Sequence, residues 1–360
     1  MTFFENSRRN VLFILVIYIL LFVLAIPIIS RINYLFYFFI VISWIFFSIL
    51  AYIFIFSSNF SFDLVDIDYS YQILLAGFII GLALNFTSTF SLSEDVYRYL
   101  FDGFLIQKNI NPYLTAPSMI STSITSQFPF YALINNPEVS SPYPPLSIAF
   151  SYIYVVLFGF NPIGWLIVIN LVTTLTGFIL IKILKYLDIN KHVIILWSLN
   201  PNILFDFNSS GHNDIFTILF LSLSIYFLIR KSENQNVWLI VAGLCFSFSI
   251  GLKLFTFLMF PFLIKWFKKS GSFIVILLTS LQFFVFYVLI NLNFSGIVIF
   301  LKYWRFNGGL FELFYFIFND FNSSVNNLFL ESNLRIIFAL IFILSYFIII
   351  VILKTIYLIL

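Results

Sequence analysis

Charge is what this chain has least of. It carries 18 Lys and Arg and 15 Asp and Glu among 360 residues, so charged side chains are 9% of the total, against about 25% in a soluble domain. Hydrophobic residues make up 62%, and mean hydropathy is +1.06. A soluble fold of this length could not hide that much apolar surface, so the solvent for most of the chain is lipid. The net charge of +3 is spread thinly and gathers into no basic tract, which leaves no basis for a nucleic-acid partner. One cysteine, Cys245, excludes an internal disulfide and a cysteine metal cluster. No internal repeat and no linker divides the sequence, so residues 1–360 read as a single membrane domain.

What is abundant is long apolar runs. A spanning helix needs about 20 apolar residues. Runs of that kind lie at roughly 11–29, 34–57, 71–89, 163–184, 213–230, 272–291 and 334–353. Shorter or broken ones lie at 146–160, 192–206, 237–266 and 309–318. The fold class expected is all-α and polytopic, with about nine to eleven crossings. The first run follows Arg8 and Arg9 but has no small-residue cleavage site, so it reads as a retained helix.

Lys and Arg in short loops set the orientation. Arg8/Arg9, Lys182/Lys185/Lys191, Arg230/Lys231 and Lys265/Lys268/Lys269 mark cytoplasmic loops. Three crossings then place 90–145 outside. This is the longest polar segment, and it holds seven of the eleven prolines, from Pro112 to Pro145; a loop of that length in a tight protein is functional or disordered. A parity conflict follows. An odd number of crossings must separate 90–145 from 185–191, yet two candidates lie between them. Either 146–160 is re-entrant or interfacial, or the basic loop breaks the charge rule.

The stretch "SLSEDVYRYLFDG" (91–103) spends four scarce charges at one membrane edge: Glu94, Asp95, Arg98 and Asp102. Ser91 and Glu94 have capping-box spacing, so a helix is expected to begin there. Asp95, Arg98 and Asp102 fall at i, i+3 and i+7 on one face, with Tyr97, Leu100, Phe101, Phe104 and Leu105 on much of the other. The pattern predicts an amphipathic helix on the membrane surface, its carboxylates turned from lipid. Two readings of the charges stand side by side: a cap with a surface ion pair, or a catalytic carboxylate.

The stretches that follow bear on that choice. "NINPYLTAP" (109–117) comes next, and "SPYPPLSIAF" (141–150) closes the loop. Later come "LNPNILFDFNSSGHND" (199–214) and "GLKLFTFLMFP" (251–261). An acidic pair, R-Y-x-x-D-G, N-P-Y, a Y-P-P-L helix entry and these two later stretches, in this order, resemble the GT-C superfamily of integral membrane glycosyltransferases. The chain is most similar to bacterial enzymes of the polyprenyl-phosphate-mannose-dependent mannosyltransferase kind. The resemblance covers about residues 72–310; the end at 334–360 is shorter than the family's pattern leads one to expect. It implies a catalytic carboxylate in the first large extracytoplasmic loop, a sugar donated from a lipid phosphate, and inversion at the anomeric carbon. Carried onto this sequence, the carboxylate is Asp95 or Glu94, with Asp95 preferred because it shares a face with Arg98 and Asp102. The residues suit that chemistry. One positioned carboxylate can take the proton of an attacking hydroxyl, an effect worth about 10²–10⁴-fold, and a leaving phosphate needs positive charge or N–H groups where its charge develops.

Other polar outliers complete the candidate set. Lys253 interrupts "FSIGLKLFTFL". A Lys at mid-bilayer costs about 2.5–3.5 kcal/mol on insertion scales, so it either meets a donor phosphate in a cavity or snorkels from a short helix end. His212 and Asp214 in "SSGHND" can contact sugar or donor, or simply form a turn and a cap; a His and an Asp alone do not make a metal site. Arg305 in "LKYWRFNGGLF" has the fork geometry for phosphate, though with Lys302 it also fits a headgroup anchor. Tyr143, beside Pro144 and Pro145, shapes the loop exit or lines the substrate pocket. Asp66-x-Asp68 sits in a short loop read as cytoplasmic and is a solvated acidic turn.

The function expected is transfer of a hexose, mannose by resemblance, from a polyprenyl-phosphate donor to a lipid-linked or cell-envelope glycan acceptor. The protein would be multi-pass in the cytoplasmic membrane, with its site facing outside. A carboxylate base works with or without a divalent cation, so no cofactor is certain and a divalent cation is possible. The rival is a transporter or flippase of a lipid-linked glycan, which predicts paired repeats or broken helices near the midplane. A non-catalytic assembly subunit is the third possibility.

Overall fold

The computed structural model describes residues 16–20, 33–56, 69–86, 93–230 and 234–291, together with 296, 298–299, 315, 334–338, 340–346 and 348. Arg8, Arg9, Asp66, Asp68, Ser91, Lys302 and Arg305 lie outside the described residues. Every regular element described is helical, as apolar sequence in lipid requires, because each backbone N–H and C=O must find its partner within the segment. The protein is an all-α polytopic membrane protein. The chain divides into two compact units, one of Met1–Leu258 with Lys265–Gly296 and one of Met259–Ile264 with Ile297–Leu360. The candidate residues that are described all belong to the first.

The main helices are α1 (Asn33–Phe56), α2 (Ser70–Asn85), α3 (Asp95–Gln107), α4 (Pro145–Phe158), α5 (Pro162–Tyr186), α6 (Asp214–Ile229), α7 (Gln235–Leu252) and α8 (Phe260–Ile290), the last belonging to the first unit from Lys265 on. Among the described residues, Pro162–Tyr186, Gln235–Leu252 and Gly271–Ile290 are long and apolar enough to cross a membrane alone. Ile203–Ser209 and Asp214–Ile229 make a fourth if the bent pair is one span, and shorter apolar helices include Ile40–Tyr52 and Ser70–Asn85.

The boundaries follow local chemistry. Pro144 is extended and Pro145 opens α4 at its first turn, where a missing N–H costs nothing. Asn161 caps α5, its side chain accepting from the Gly164 N–H at 3.0 Å, with Pro162 again in the first turn. The expected span at 192–206 is instead a 3₁₀ turn at Lys191–Ile194, a short helix at Ile195–Ser198 and a π-helical segment at Ile203–Ser209. The run 237–266 divides at Lys253, which is extended; a 3₁₀ turn, Leu254–Met259, follows, and α8 then runs without a break through Lys265, Lys268 and Lys269.

The loop between α2 and α4 is built around α3. The polar face of this helix is covered by protein: Asp95, Arg98 and Asp102 are all buried. Its apolar side packs on α4, and its polar side is roofed by loop residues 135–141, which hydrogen-bond Asp95 and Arg98. Gly103 allows the helices this close, since a Cβ there would lie 2.7 Å from the Ser151 carbonyl. The capping box is also replaced. Glu94 occupies the N-cap position, exposed and making no side-chain cap bond, while the Asp95 N–H donates to Ser93 Oγ at 3.2 Å.

The helix α4 runs alongside α3. Tyr99 on α3 touches Tyr143, ahead of α4, and Trp165, after it, with ring centroids 5.0 and 5.9 Å apart. Phe160, beyond the far end of α4, still packs on Phe104 and Phe128. Residues 145–161 therefore stay beside the loop, and α5 carries the chain away from it.

Candidate active site

Three elements bring polar groups to the N-terminal end of α3. Asp95 is the first residue of α3, where a carboxylate suits the helix dipole. Its Oδ1 accepts from Asn135 Nδ2 at 2.6 Å, and its Oδ2 lies 3.6 Å from His212 Nδ1. His212 comes from the break between the π segment and α6, whose axes differ by 114°. π segments are frequent at functional sites, and this one ends in a tightly held turn. The Gly211 N–H donates to the Phe207 carbonyl at 2.7 Å, and the Gly211 carbonyl accepts from Trp165 Nε1 at 2.8 Å. Asn213 Nδ2 donates to Ser147 Oγ on α4 at 2.5 Å. Gly211 is left-handed, at φ +69°, and a Cβ there would meet Val96 Cγ2 at 2.5 Å, so the turn can seat against α3 only with glycine.

Two residues on, Asp214 opens α6 and pairs with Lys253, Oδ1 to Nζ at 3.0 Å. Both side chains are about a quarter exposed, 28% and 27%, so the pair is open to an incoming ligand. Lys253 does not continue a helix; it is the extended residue at which α7 stops. The π-segment residue Asp206 interacts electrostatically with both His212 and Asp214.

Aromatic hydroxyls line the inner side. Tyr99 OH lies 3.5 Å from His212 Nδ1, and Tyr99 and Tyr143 pack edge to face. Burial pushes both phenols well above their ordinary value of 10, so both are neutral hydrogen-bonding groups. Tyr113 fixes Tyr143 by donating to its carbonyl at 2.8 Å.

Arg98 and Asp102 go elsewhere. Arg98 Nε donates to Asp102 Oδ1 at 3.0 Å, and the guanidinium also donates to the Asn136 and Val139 carbonyls at 3.4 and 2.8 Å. Arg98 thus staples the loop roof to α3. Burial raises the Asp102 carboxyl above its usual 3.8, with Arg98 and Ser141 pulling the other way. One of its oxygens, Oδ2, has no hydrogen-bond partner.

The structure therefore gathers Asp95, Tyr143, His212, Asp214 and Lys253 and spends Arg98 and Asp102 on the loop. Glu94 stands at the exposed rim. Asn135, Tyr99, Trp165 and Asp206 join the site without having been selected from sequence. Of these, Asn135 precedes only a common Asn-Pro turn signature, and Tyr99 and Trp165 look like ordinary aromatic filling. Among the described residues, no group of three or more His, Cys, Asp or Glu side chains is placed to hold a metal.

No curated protein and no solved structure matches the chain. One family does: the MptA_B family, described as alpha-(1->6)-mannopyranosyltransferase, N-terminal domain, over residues 88–268. The match spans half the chain and takes in α3, the loop roof, the broken helix and Lys253. The chain belongs to this family, and is a membrane mannosyltransferase of the GT-C type.

Proposed function

We propose that the protein transfers mannose from a polyprenyl-phosphate donor to a lipid-linked or cell-envelope glycan, with inversion, on the outer side of the cytoplasmic membrane. The observation that carries this reading is the row of Asp95, His212, Asp214 and Lys253 around one turn. It has a carboxylate at one end and a cation at the other. Asp95 is the base. The acceptor oxygen attacks the anomeric carbon and gives its proton to Asp95, while the bond from that carbon to the phosphate oxygen breaks and the phosphate leaves with the electron pair. Lys253 meets the charge that develops on the phosphate. His212, Asp214, Tyr143 and the rim residue Glu94 face sugar or acceptor hydroxyls. Arg98 and Asp102 act on substrate only through the roof that they hold.

An apolar cavity of about 200 Å³ is lined by Pro144, Leu146, Ile250, Gly251, Leu254 and Phe286, residues that include the chain on both sides of Lys253. It suits a prenyl chain whose phosphate ends at that lysine. The alpha-(1->6) linkage in the family's description is proposed for the product as well. The test uses purified protein in liposomes, radiolabelled polyprenyl-phosphate mannose or a nucleotide-activated mannose as donor, and a membrane lipid extract as acceptor. Label should reach the acceptor from the lipid donor only. Equal use of the nucleotide sugar would overturn the donor assignment, and movement of labelled lipid across the bilayer without product would indicate a transporter.

A further inference from the structure

The geometry points to Asn135 as the residue that positions Asp95. This rests on the reading of Asp95 as the base.

Asn135 lies 40 residues from Asp95 in sequence, yet its Nδ2 is 2.6 Å from Asp95 Oδ1. An ionised carboxylate only accepts hydrogen bonds, so the amide must present its nitrogen. The bond is charge-assisted, the stronger kind. It occupies one carboxylate oxygen and leaves Oδ2 for the side where His212 stands. A carboxylate on χ1 and χ2 alone could turn either oxygen to the substrate; with Oδ1 held, one orientation remains.

The loop is built to keep Asn135 in place. On one side Ile134 is buried, and its N–H donates to the Tyr131 carbonyl at 3.2 Å. On the other side the chain turns at Asn136, which is left-handed at φ +47°. Arg98 then holds the carbonyls of Asn136 and Val139. The Ser118 N–H holds the carbonyl of Pro137 at 2.8 Å, and the Ser141 N–H reaches the carbonyl of Pro112 at 2.9 Å. The buried Arg98–Asp102 pair thus bears on the chemistry at two removes: it fixes the roof, the roof fixes Asn135, and Asn135 fixes Asp95.

A displacement of about 1 Å in a reacting group can cost 10²-fold in rate. Asn135→Ala should lower kcat about 10- to 100-fold and leave the KM for the lipid donor within about twofold, because Asn135 holds the base and not the donor. Asn135→Asp keeps the shape but loses the donor, and should fall at least as far even if the alanine variant is poorly folded. Asn135→Gln keeps a donor and should recover part of the rate. Glu138→Ala, an exposed change in the same loop, should leave activity unchanged.

The deciding measurement is a double-mutant cycle with Asp95→Asn, using purified protein and radiolabelled polyprenyl-phosphate mannose. If Asn135 works through Asp95, adding Asn135→Ala to Asp95→Asn costs nothing further. A wild-type kcat in both Asn135→Ala and Asn135→Asp, an effect confined to KM, or an equal loss in both backgrounds would each overturn the inference. Full activity of Asp95→Asn by itself would instead overturn the base reading, so the two failures are distinguishable.

Discussion

Arg98 and Asp102 form an ion pair at 3.0 Å with side chains only 4% and 1% exposed. Their spacing of four residues reads as an ordinary surface pair along a helix. In the folded chain the pair is internal, and the rest of the guanidinium serves loop carbonyls. Removing one member of a buried pair costs about 3–5 kcal/mol, because the other charge is left without compensation. Arg98→Leu should therefore lower the melting temperature of the detergent-purified protein clearly and loosen residues 135–141. Hydrogen exchange should show the loosening there first. Unchanged protection of that segment would contradict the staple.

The same pair gives a pH dependence of stability. Burial raises the folded-state value of the Asp102 carboxyl above the ordinary 3.8, so the folded chain holds this proton more tightly than the unfolded chain. The stabilisation from that proton is complete below the unfolded value and is lost as pH rises through the folded value. Asp102→Asn removes the titration. The difference in melting temperature between wild type and Asp102→Asn should therefore shift against the wild type as pH rises across that window. A constant difference would mean that the Arg98 pairing cancels the effect of burial, and a shift in favour of the wild type that it outweighs it.

Lys253 should report on the donor. Replacing it with Gln removes a charge-assisted contact worth about 1.5–3 kcal/mol, roughly 10- to 100-fold in binding. The KM for the lipid donor should rise by that order, and Lys253→Arg should recover part of it. A Gln variant with unchanged donor KM would return Lys253 to a structural role as the partner of Asp214.

Two glycines separate strain from site geometry. Gly159 and Gly211 are both left-handed, at φ +67° and +69°. A Cβ at Gly159 meets nothing within 4 Å, while one at Gly211 meets Val96 and Leu166 at 2.5 and 2.8 Å. Gly159→Ala should cost stability alone. Gly211→Ala should also push His212 away from Asp95, and kcat in steady-state assays should fall more than tenfold beyond any loss of folded protein. Equal effects at the two positions would contradict the argument that the turn is seated on α3.

Much of this was legible from residues. Apolar runs gave the helices because lipid leaves the backbone no other option. Asp95, His212, Asp214 and Lys253 stood out because charge is so scarce that each instance needs a reason. Other features were hidden. The burial of α3 was not legible, because an amphipathic pattern looks the same whether water or a polar loop covers the polar face. The path of 146–160 was equally hidden, since an apolar segment packed on another helix has the composition of one in lipid. Asn135 could not be found at all: its role comes from a contact spanning 40 residues, and nothing near it in sequence marks that contact.

The most direct test is the transfer rate of Asp95→Asn, a change that keeps size and hydrogen-bonding capacity but removes the base. Purified variant that folds like the wild type should form labelled glycan from polyprenyl-phosphate mannose about 10²–10⁴-fold more slowly while still binding that donor. Transfer at the wild-type rate would contradict the assignment of Asp95, and with it the mechanism built on the row from Asp95 to Lys253.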